Sequence, residues 1–177
     1  CGNPPYVPLA DVTEYRFSGF QTDRLPDIYA PCTERAAQIV NEHGRLSLIV
    51  PISCTFGDEF GLLRKVLKER FATLWVSNFS RNPAALFDAG LGVRSTILVG
   101  SVSGTRKSVS VTKTHRWYEA FRPALFETLR YTELAPGGES RHGWVRLPSE
   151  GFGTLLGKLA DGSSGALAAQ ERTRARN

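Results

Sequence analysis

Methionine is absent from the whole 177-residue sequence, including its first position. The chain also opens directly on a motif, Asn3-Pro4-Pro5-Tyr6, with no strand-like run ahead of it. From these two absences we expect the chain to be a fragment, cut from a longer protein on its N-terminal side.

Long apolar runs are missing as well. None approaches the ~18 residues of a membrane helix, and no signal peptide precedes the motif. The three cysteines, Cys1, Cys32 and Cys54, show neither zinc-ligand spacing nor a disulfide framework. The sequence therefore predicts free thiols in a reducing compartment and no membrane partner. The histidines also lack ligand spacing, so no metal site is expected.

Hydrophobic residues make up 41% of the chain, which is enough for one domain with a sizeable core. The formal charge is +5, and a basic excess of this size is compatible with a polyanionic partner. Part of the excess lies in the tail at 172–176, where a solvated end explains it equally well.

The opening motif has a chemistry that follows from its residue types. Pro4 and Pro5 fix φ and lack an N–H, and a residue before proline is kept out of the helical region, so Asn3 is held extended. The Asn3 side-chain oxygen and the Pro4 carbonyl are then two acceptors in a rigid frame beside the Tyr6 ring. A planar group carrying an NH2, such as adenine, fits this set. A plain turn or a short recognition peptide would use the same four residues.

Hydrophobic periodicity predicts alternating helices and strands after a loop at 7–26. The predicted helices are 28–42, with Asp27 as N-cap, and 58–70; the predicted strands are 45–50, 72–77 and 93–99. This order favours an α/β layered fold. The last two strands are joined without a helix, so we expect them to pair antiparallel at one end of the sheet.

The pattern changes beyond residue 100. Alternation at 108–112 predicts an edge strand, and residues 136–141 are predicted to be a linker with a mobile, polar remainder. A helix is predicted at 115–131, with Pro123 as a kink or break. Its expected inward residues are Trp117, Tyr118, Phe121, Leu125, Phe126 and Leu129.

The order of these parts resembles the N6-adenine DNA methyltransferases of bacterial restriction–modification and related phage-defence systems. The resemblance is carried by Asn3-Pro4-Pro5-Tyr6, by Asp27-Ile28-Tyr29-Ala30, by the run Gly-Arg-Leu-Ser-Leu-Ile-Val-Pro at 44–51, and by Leu86-Phe87 ahead of the last strand. It covers residues 3–100 and is similar to the gamma-type arrangement, in which cofactor motifs precede Asn-Pro-Pro-Tyr and a target-recognition region follows.

The resemblance implies an α/β fold that holds the later strands and helices of a Rossmann-like class I methyltransferase sheet, with an antiparallel last strand. Residues 1–113 would be the C-terminal half of the catalytic domain, 114–135 a connecting helix, and 136–177 a linker leading to a target-recognition region or a disordered tail. Such enzymes hold S-adenosylmethionine by motifs ahead of Asn-Pro-Pro-Tyr. No cofactor-binding residue is therefore expected in this chain, which alone should be inactive.

The same resemblance implies roles for four residues. Asn3 and the Pro4 carbonyl would accept hydrogen bonds from the N6 amino group of an adenine flipped out of duplex DNA. Tyr6 would stack on one face of that base and Phe87 on the other. Accepting both amino hydrogens favours the lone-pair-localised geometry that develops in the transition state. Phe87 also has a plainer interpretation, as a core residue that precedes a strand.

Five basic residues are expected near the cleft, where they could contact phosphates without reading sequence: Arg94, Arg106, Lys107, Lys113 and Arg116. Asp27 and Tyr29 are interpreted as a helix cap and a packing residue, not as ligands. The implied partners are double-stranded DNA and specificity or restriction subunits, and the implied location is a bacterial or archaeal cytoplasm.

Two other classes stay open. Glutamine methyltransferases acting on release factors and some RNA adenine methyltransferases also carry Asn-Pro-Pro-Tyr, because the motif suits any planar amide or amine; the run at 44–51 favours the DNA group. The chain could also belong to an inactive accessory subunit that binds DNA. An upstream region without cofactor motifs would favour that alternative.

The isolated chain is expected to be poorly soluble. A sheet without its first strands presents an unpaired edge and an uncovered apolar face, and both promote association. A thermal melt followed by circular dichroism and light scattering tests this expectation. A cooperative melt of a monomer would contradict it.

Overall fold

The computed structural model describes residues 1–14, 16–87, 92–135 and 143–144. Its α-helices are α1 (Tyr29–Ile39), α2 (Ser53–Phe56) and α3 (Gly61–Arg70). Its strands are β1 (Arg45–Pro51), β2 (Thr73–Phe79), β3 (Ser95–Ser101), β4 (Ser108–His115) and β5 (Thr132–Glu133). Short 3-10 turns cover Leu9–Asp11, Asp58–Phe60, Glu119–Ala124 and Phe126–Thr128. The predicted alternation of helices and strands, and with it the α/β class, is confirmed.

The strands form one mixed sheet in the order β1-β3-β2-β4-β5. β3 pairs antiparallel with both β1 and β2, whereas β2 and β4 pair in parallel. β1, β2 and β4 therefore point the same way, and their carboxyl ends meet at one edge. This carboxyl edge is the row Pro51, Ser95, Phe79 and His115. The amino edge is the opposite row, Arg45, Ser101, Thr73 and Ser108.

The antiparallel pairing of the predicted strands 72–77 and 93–99 is confirmed, but their expected place at the end of the sheet is wrong. β3 lies between β1 and β2, and its residues face a partner strand on each side. A strand as apolar as Ser95–Ser101 is most stable when both of its edges are paired and its faces are covered.

The helix predicted at 28–42 forms as α1 but without its predicted cap. Ile28 holds the N-cap position with no side-chain hydrogen bond, and Asp27 instead forms an isolated antiparallel bridge with Pro8. Within the helix, the apolar Ile39 is 67% exposed while Glu34 is buried. Glu34 is tolerated inside since its carboxylate accepts hydrogen bonds from the backbone N–H and the hydroxyl of Thr22.

The helix predicted at 115–131 is wrong. His115 ends β4, and two 3-10 turns follow, the first of which contains Pro123. Proline removes a helix donor and clashes with the preceding turn, so it limits the segment to short turns. Residues 132–133 then return to the sheet as β5, so 114–135 is not a separate connecting helix.

The predicted inward face of this segment is only partly buried. Trp117 and Leu125 are buried against Phe79, whereas three of the predicted inward aromatics are well exposed: Tyr118, Phe121 and Phe126. The predicted linker at 136–141 lies outside the described residues, as does most of the predicted remainder at 136–177.

The main core lies on the sheet face that α1 and α3 cover. Leu48, Leu98, Val76 and Val111 form one continuous row across four strands there. Trp144 joins the same core, 1% exposed, and its backbone N–H donates to the Thr55 carbonyl at 3.0 Å. Gly143 is required beside it, because its φ is +110° and a Cβ would approach the Thr55 oxygen to 2.3 Å.

No α-helix in the described ranges is long and apolar enough to cross a membrane. All three cysteines are free thiols. Burial raises the pKa of Cys54 to about 12, so this thiol is a packing group and not a nucleophile.

A buried polar network joins three strands and α2 just inside the carboxyl edge. The side-chain oxygen of Asn78 accepts hydrogen bonds from the hydroxyls of Thr55 at 3.2 Å and Thr96 at 2.7 Å. The Asn78 backbone N–H donates to the Thr112 hydroxyl, and its side-chain amide donates to the Thr112 carbonyl. All four residues are at most 1% exposed. A fully satisfied network of this kind holds neighbouring strands in one register.

Replacing Asn78 with Ala is expected to lower the free energy of unfolding by about 3 kcal/mol, because the buried Thr55 and Thr96 hydroxyls lose their acceptor. Urea denaturation followed by circular dichroism measures the loss. Asn41→Ala is the control, since the Asn41 side chain is exposed and accepts a single hydrogen bond from the His43 N–H. An Asn78 variant as stable as the Asn41 variant would show that the network contributes little.

Candidate active site

Gly2 fixes the start of the motif beside β1. Its N–H donates to the Ser47 carbonyl at 2.9 Å, and its carbonyl accepts from the Ile49 N–H at 3.1 Å. These bonds make a parallel bridge between Gly2 and Leu48 on the side of β1 that β3 does not occupy. The chain therefore runs toward the carboxyl edge and delivers Asn3 there.

The far end of the motif is held by a second backbone ladder. The Ile28 N–H donates to the Val7 carbonyl at 3.0 Å, and the Leu9 N–H donates to the Pro26 carbonyl at 2.6 Å. Asn3–Tyr6 is thus a four-residue loop held at both ends, and its two prolines limit its freedom further. A loop fixed this way is preorganised and is not a flexible tail.

The two acceptors that the motif was predicted to offer are open. Asn3 is exposed and Pro4 is half-buried. Within the described ranges, no donor bonds the Asn3 side-chain oxygen or the Pro4 carbonyl. Both oxygens can therefore receive hydrogen bonds from a ligand at the carboxyl edge.

Tyr6 is anchored by its hydroxyl, which donates to the Ile49 carbonyl at 2.9 Å. Its ring meets Tyr29 edge-on, with centroids 6.4 Å apart. Burial raises the pKa of Tyr6 to about 12, so the phenol stays neutral at physiological pH. The ring is half-buried, which leaves part of it available for stacking.

Tyr29 connects the loop to the interior. It is fully buried, stacks on Phe60 with centroids 5.0 Å apart, and shares a 3.0 Å hydrogen bond with the Ser53 hydroxyl. Burial raises its pKa above the ordinary tyrosine value. Asp27 lies close by, and burial together with the nearby Glu59 raises the pKa of its carboxyl. Tyr29 is the packing residue that the sequence predicted, whereas Asp27 is not the predicted cap.

An open groove continues along the carboxyl edge. One part, about 370 Å³, is lined by Ser53, Arg81 and Arg94 among others. The adjoining part, about 600 Å³, is lined by Phe87 and again by Arg81. Phe87 is 41% exposed, so it is not the core residue of its plainer interpretation. Because Ser53 also bonds Tyr29, the groove begins beside the residues that support Tyr6.

The five predicted phosphate-contact residues do not lie together. Arg94 directly precedes the carboxyl-edge row, and Lys113 and Arg116 lie at the same end of β4. The prediction of one cluster is wrong for Arg106 and Lys107, which precede Ser108 at the amino edge.

Arg106 and Lys107 both have partners within the fold. Arg106 is ion-paired with Glu133, and the Lys107 ammonium donates to the Glu69 and Phe71 carbonyls, each at 3.0 Å. They border a largely apolar pocket of about 350 Å³. That pocket is remote from Asn3, so it is not part of the candidate active site.

Arg81 is the site residue that the sequence analysis missed. It follows β2 by two residues, and its guanidinium donates to the Gly92 carbonyl at 2.8 Å. The only signal for it is its position just after a strand that ends at the carboxyl edge, and that position depends on the strand order. No group of three or more His, Cys, Asp or Glu side chains among the described residues could hold a metal ion.

A family model described as Eco57I restriction-modification methylase matches residues 1–85. No curated protein sequence is significantly similar to the chain.

Several solved structures share the fold. They include a DrdV–DNA complex determined by cryo-electron microscopy, with a TM-score of 0.64 at 17% identity. A nuclease-deletion mutant of the Type ISP restriction-modification enzyme LlaGI, in complex with a DNA substrate mimic, gives 0.57 at 14%. The ATP-dependent Type ISP restriction-modification enzyme LlaBIII bound to DNA gives 0.54 at 15%. The matches cover 84%, 84% and 85% of this chain but 18%, 18% and 13% of those proteins.

Tyr6→Phe is expected to lower the free energy of unfolding by about 1 kcal/mol, the usual net value of one hydrogen bond, while leaving the ring on Tyr29. Because the folded pKa of about 12 exceeds the ordinary value of 10.0, the wild-type contribution is complete below pH 10 and is lost between pH 10 and 12. The difference between wild type and variant should therefore shrink as pH rises through that window.

Denaturant titrations at neutral and alkaline pH measure this difference. Tyr118→Phe is the matched control, since Tyr118 is 65% exposed, and it should change stability at neither pH. A difference that is independent of pH would contradict the burial of the Tyr6 phenol.

Proposed function

We propose that this chain supplies the base-binding half of an S-adenosylmethionine-dependent DNA methyltransferase acting on N6 of a flipped adenine, within a longer restriction–modification protein of a bacterial or archaeal cytoplasm. The observation that carries the proposal is the Asn3–Tyr6 loop: two open acceptors and an anchored ring, held at both ends and presented at the carboxyl edge. Ligands of open α/β sheets bind outside the carboxyl ends of the strands.

The matched family model and the solved restriction–modification enzymes support methylation within a larger protein. The three similar structures were each determined with DNA or a DNA mimic, which supports DNA as the partner. The chain spans less than a fifth of each of those proteins, so further domains and subunits, including a target-recognition region after residue 136, belong to the proposal.

S-adenosylmethionine would supply an electrophilic methyl group, and we assign none of the described residues to hold it. Gly2 pairs in parallel with β1 on the side that β3 does not occupy. Further parallel strands can extend the sheet on that side, which fits a cofactor held by segments outside the described residues.

Asn3 and the Pro4 carbonyl would each accept one hydrogen of the adenine amino group. Delocalisation into the ring makes this nitrogen a weak nucleophile, and two acceptors aimed at its hydrogens favour the geometry in which the lone pair is localised. In that geometry the N6 lone pair would be available to a methyl donor, and the extra N6 proton would pass to solvent because the described residues place no base beside the loop's two acceptors. Tyr6 orients the base by stacking, so its contribution is positioning.

The test is methyl transfer from labelled S-adenosylmethionine to duplex DNA by the longer enzyme, with the product nucleosides separated by mass. Asn3→Ala is expected to lower kcat by about 100-fold or more, the scale of removing one preorganised transition-state hydrogen bond. KM for DNA should change little, because the lost contact strengthens only in the transition state.

Asn3→Asp is the matched variant, because it keeps an oxygen acceptor at the same place. It should retain more activity than Asn3→Ala. Label on a protein amide or on RNA would assign the site to another acceptor with the same NH2 chemistry. Undiminished activity of Asn3→Ala would refute the proposed role of the loop.

A further inference from the structure

We propose that Arg94, Arg81 and Arg116 form a track for the phosphate backbone of the target strand, and that they contact it in this order away from the flipped base. The inference rests on the proposed function. It adds a binding surface, a direction and a residue, Arg81, that the motif does not contain.

The order follows from the sheet. Arg94 precedes the first residue of β3, Arg81 follows the end of β2, and Arg116 follows the end of β4. Those three strand ends are successive neighbours at the carboxyl edge. Strands lie about 4.8 Å apart, so the three positions span about 10 Å. With phosphates rising about 3.4 Å per nucleotide of one strand, the track spans about three nucleotide steps.

The direction follows from Gly2. Its bridge lies on the side of β1 away from β3, which puts Asn3 at one end of the row. Arg94 is then nearest to the base-binding loop, about two strand spacings or 10 Å away. Arg81 and Arg116 lie successively farther along the same edge.

These guanidiniums are available to a ligand. Arg94 and Arg116 are exposed, and within the described ranges their side chains have no hydrogen-bond or ion-pair partner. Arg81 spends one N–H on the Gly92 carbonyl and keeps the rest of its five donors. Arg70 contrasts with them, because its guanidinium is committed to the Ala37 and Val40 carbonyls at the end of α1.

The groove contains the first two positions of the track, Arg94 and Arg81. Arg81 lines both of its parts, so it stands between the Ser53 and Arg94 end and the Phe87 end. Its bond to the Gly92 carbonyl fixes one end of the guanidinium, and the remaining donors can bind phosphate in bidentate fashion. Phosphate contacts of this kind set register and orientation on DNA and carry no base specificity.

The first experiment measures duplex binding by the longer enzyme at several salt concentrations, with fluorescence anisotropy as the readout. Alanine at Arg94, Arg81 or Arg116 should each weaken binding and reduce the salt slope by about 0.9, the value of one lost phosphate contact. Arg45→Ala is the matched control, because Arg45 is exposed and lies at the amino edge. Its substitution removes the same charge as the track variants. Equal slopes in the Arg45 variant and the track variants would overturn the proposal.

The second experiment tests the order. Single phosphates on one side of the target adenine are replaced by neutral methylphosphonates, and each substituted duplex is measured against each variant. Each methylphosphonate should lower the affinity of the wild-type enzyme. It should cause no further loss in the variant that lacks the arginine contacting that phosphate. Arg94 should pair with the phosphate nearest the adenine, then Arg81, then Arg116. Any other order, or no pairing, would overturn the inference.

Failure of the track and failure of the proposed function have different signatures. Single-turnover transfer with saturating DNA should collapse in Asn3→Ala, which should itself bind with the wild-type salt slope, whereas Arg45→Ala should keep both the wild-type rate and the wild-type slope. If the arginine variants keep the wild-type salt slope while methyl transfer still depends on Asn3, the track alone is refuted. If the arginine variants show the expected reduction in salt slope while Asn3→Ala transfers methyl groups at the wild-type rate, the proposed chemistry alone is refuted. Thermal melts of every variant identify any that fail to fold.

Discussion

Two backbone hydrogen bonds between Gly2 and β1 are the constraint on which the candidate active site depends. They set the direction in which the chain leaves the sheet, and so decide that the Asn3 and Pro4 oxygens emerge at the carboxyl edge. The second ladder, between Val7–Leu9 and Pro26–Ile28, then closes the loop. Side chains contribute less to this geometry: among the residues that the structure describes, the Tyr6 hydroxyl is the one side-chain group of the motif that hydrogen-bonds to β1. Preorganisation here is mostly a property of the main chain.

The insertion of β3 between β1 and β2 gives the carboxyl edge its composition. Because β3 is antiparallel to its neighbours, its first residue lies beside the last residues of β1 and β2. Residues that are far apart in sequence, Arg94 and Arg81 among them, therefore share one groove. The Asn78 network just behind this edge keeps the strands in register, and so fixes the spacing of whatever they present.

Local signals in the sequence were sufficient for the class of fold, the positions of α1 and α3, four strands and the motif loop. They were insufficient wherever a long-range partner decided the outcome. Glu34 is buried because Thr22 donates hydrogen bonds to its carboxylate. The spacing of residues along the helix does not predict this contact. The strand order places Arg106 and Lys107 at the amino edge, away from the candidate active site. In sequence they come soon after residues that lie at the carboxyl edge. At Pro123, by contrast, the local rule was stronger than the apolar spacing that predicted a helix.

The place of β3 also has a consequence during synthesis. A ribosome releases β1 and β2 before β3 exists, and these two strands are not each other's neighbours in the finished sheet. Each must keep an edge vacant while roughly twenty further residues emerge, a stage at which hydrophobic strands are prone to wrong pairing. The sheet can close only after Ser101 has cleared the exit tunnel, so any early stop before that codon leaves two strands without the one that joins them. Chaperone demand in this protein should therefore be concentrated in the interval between β2 and β3.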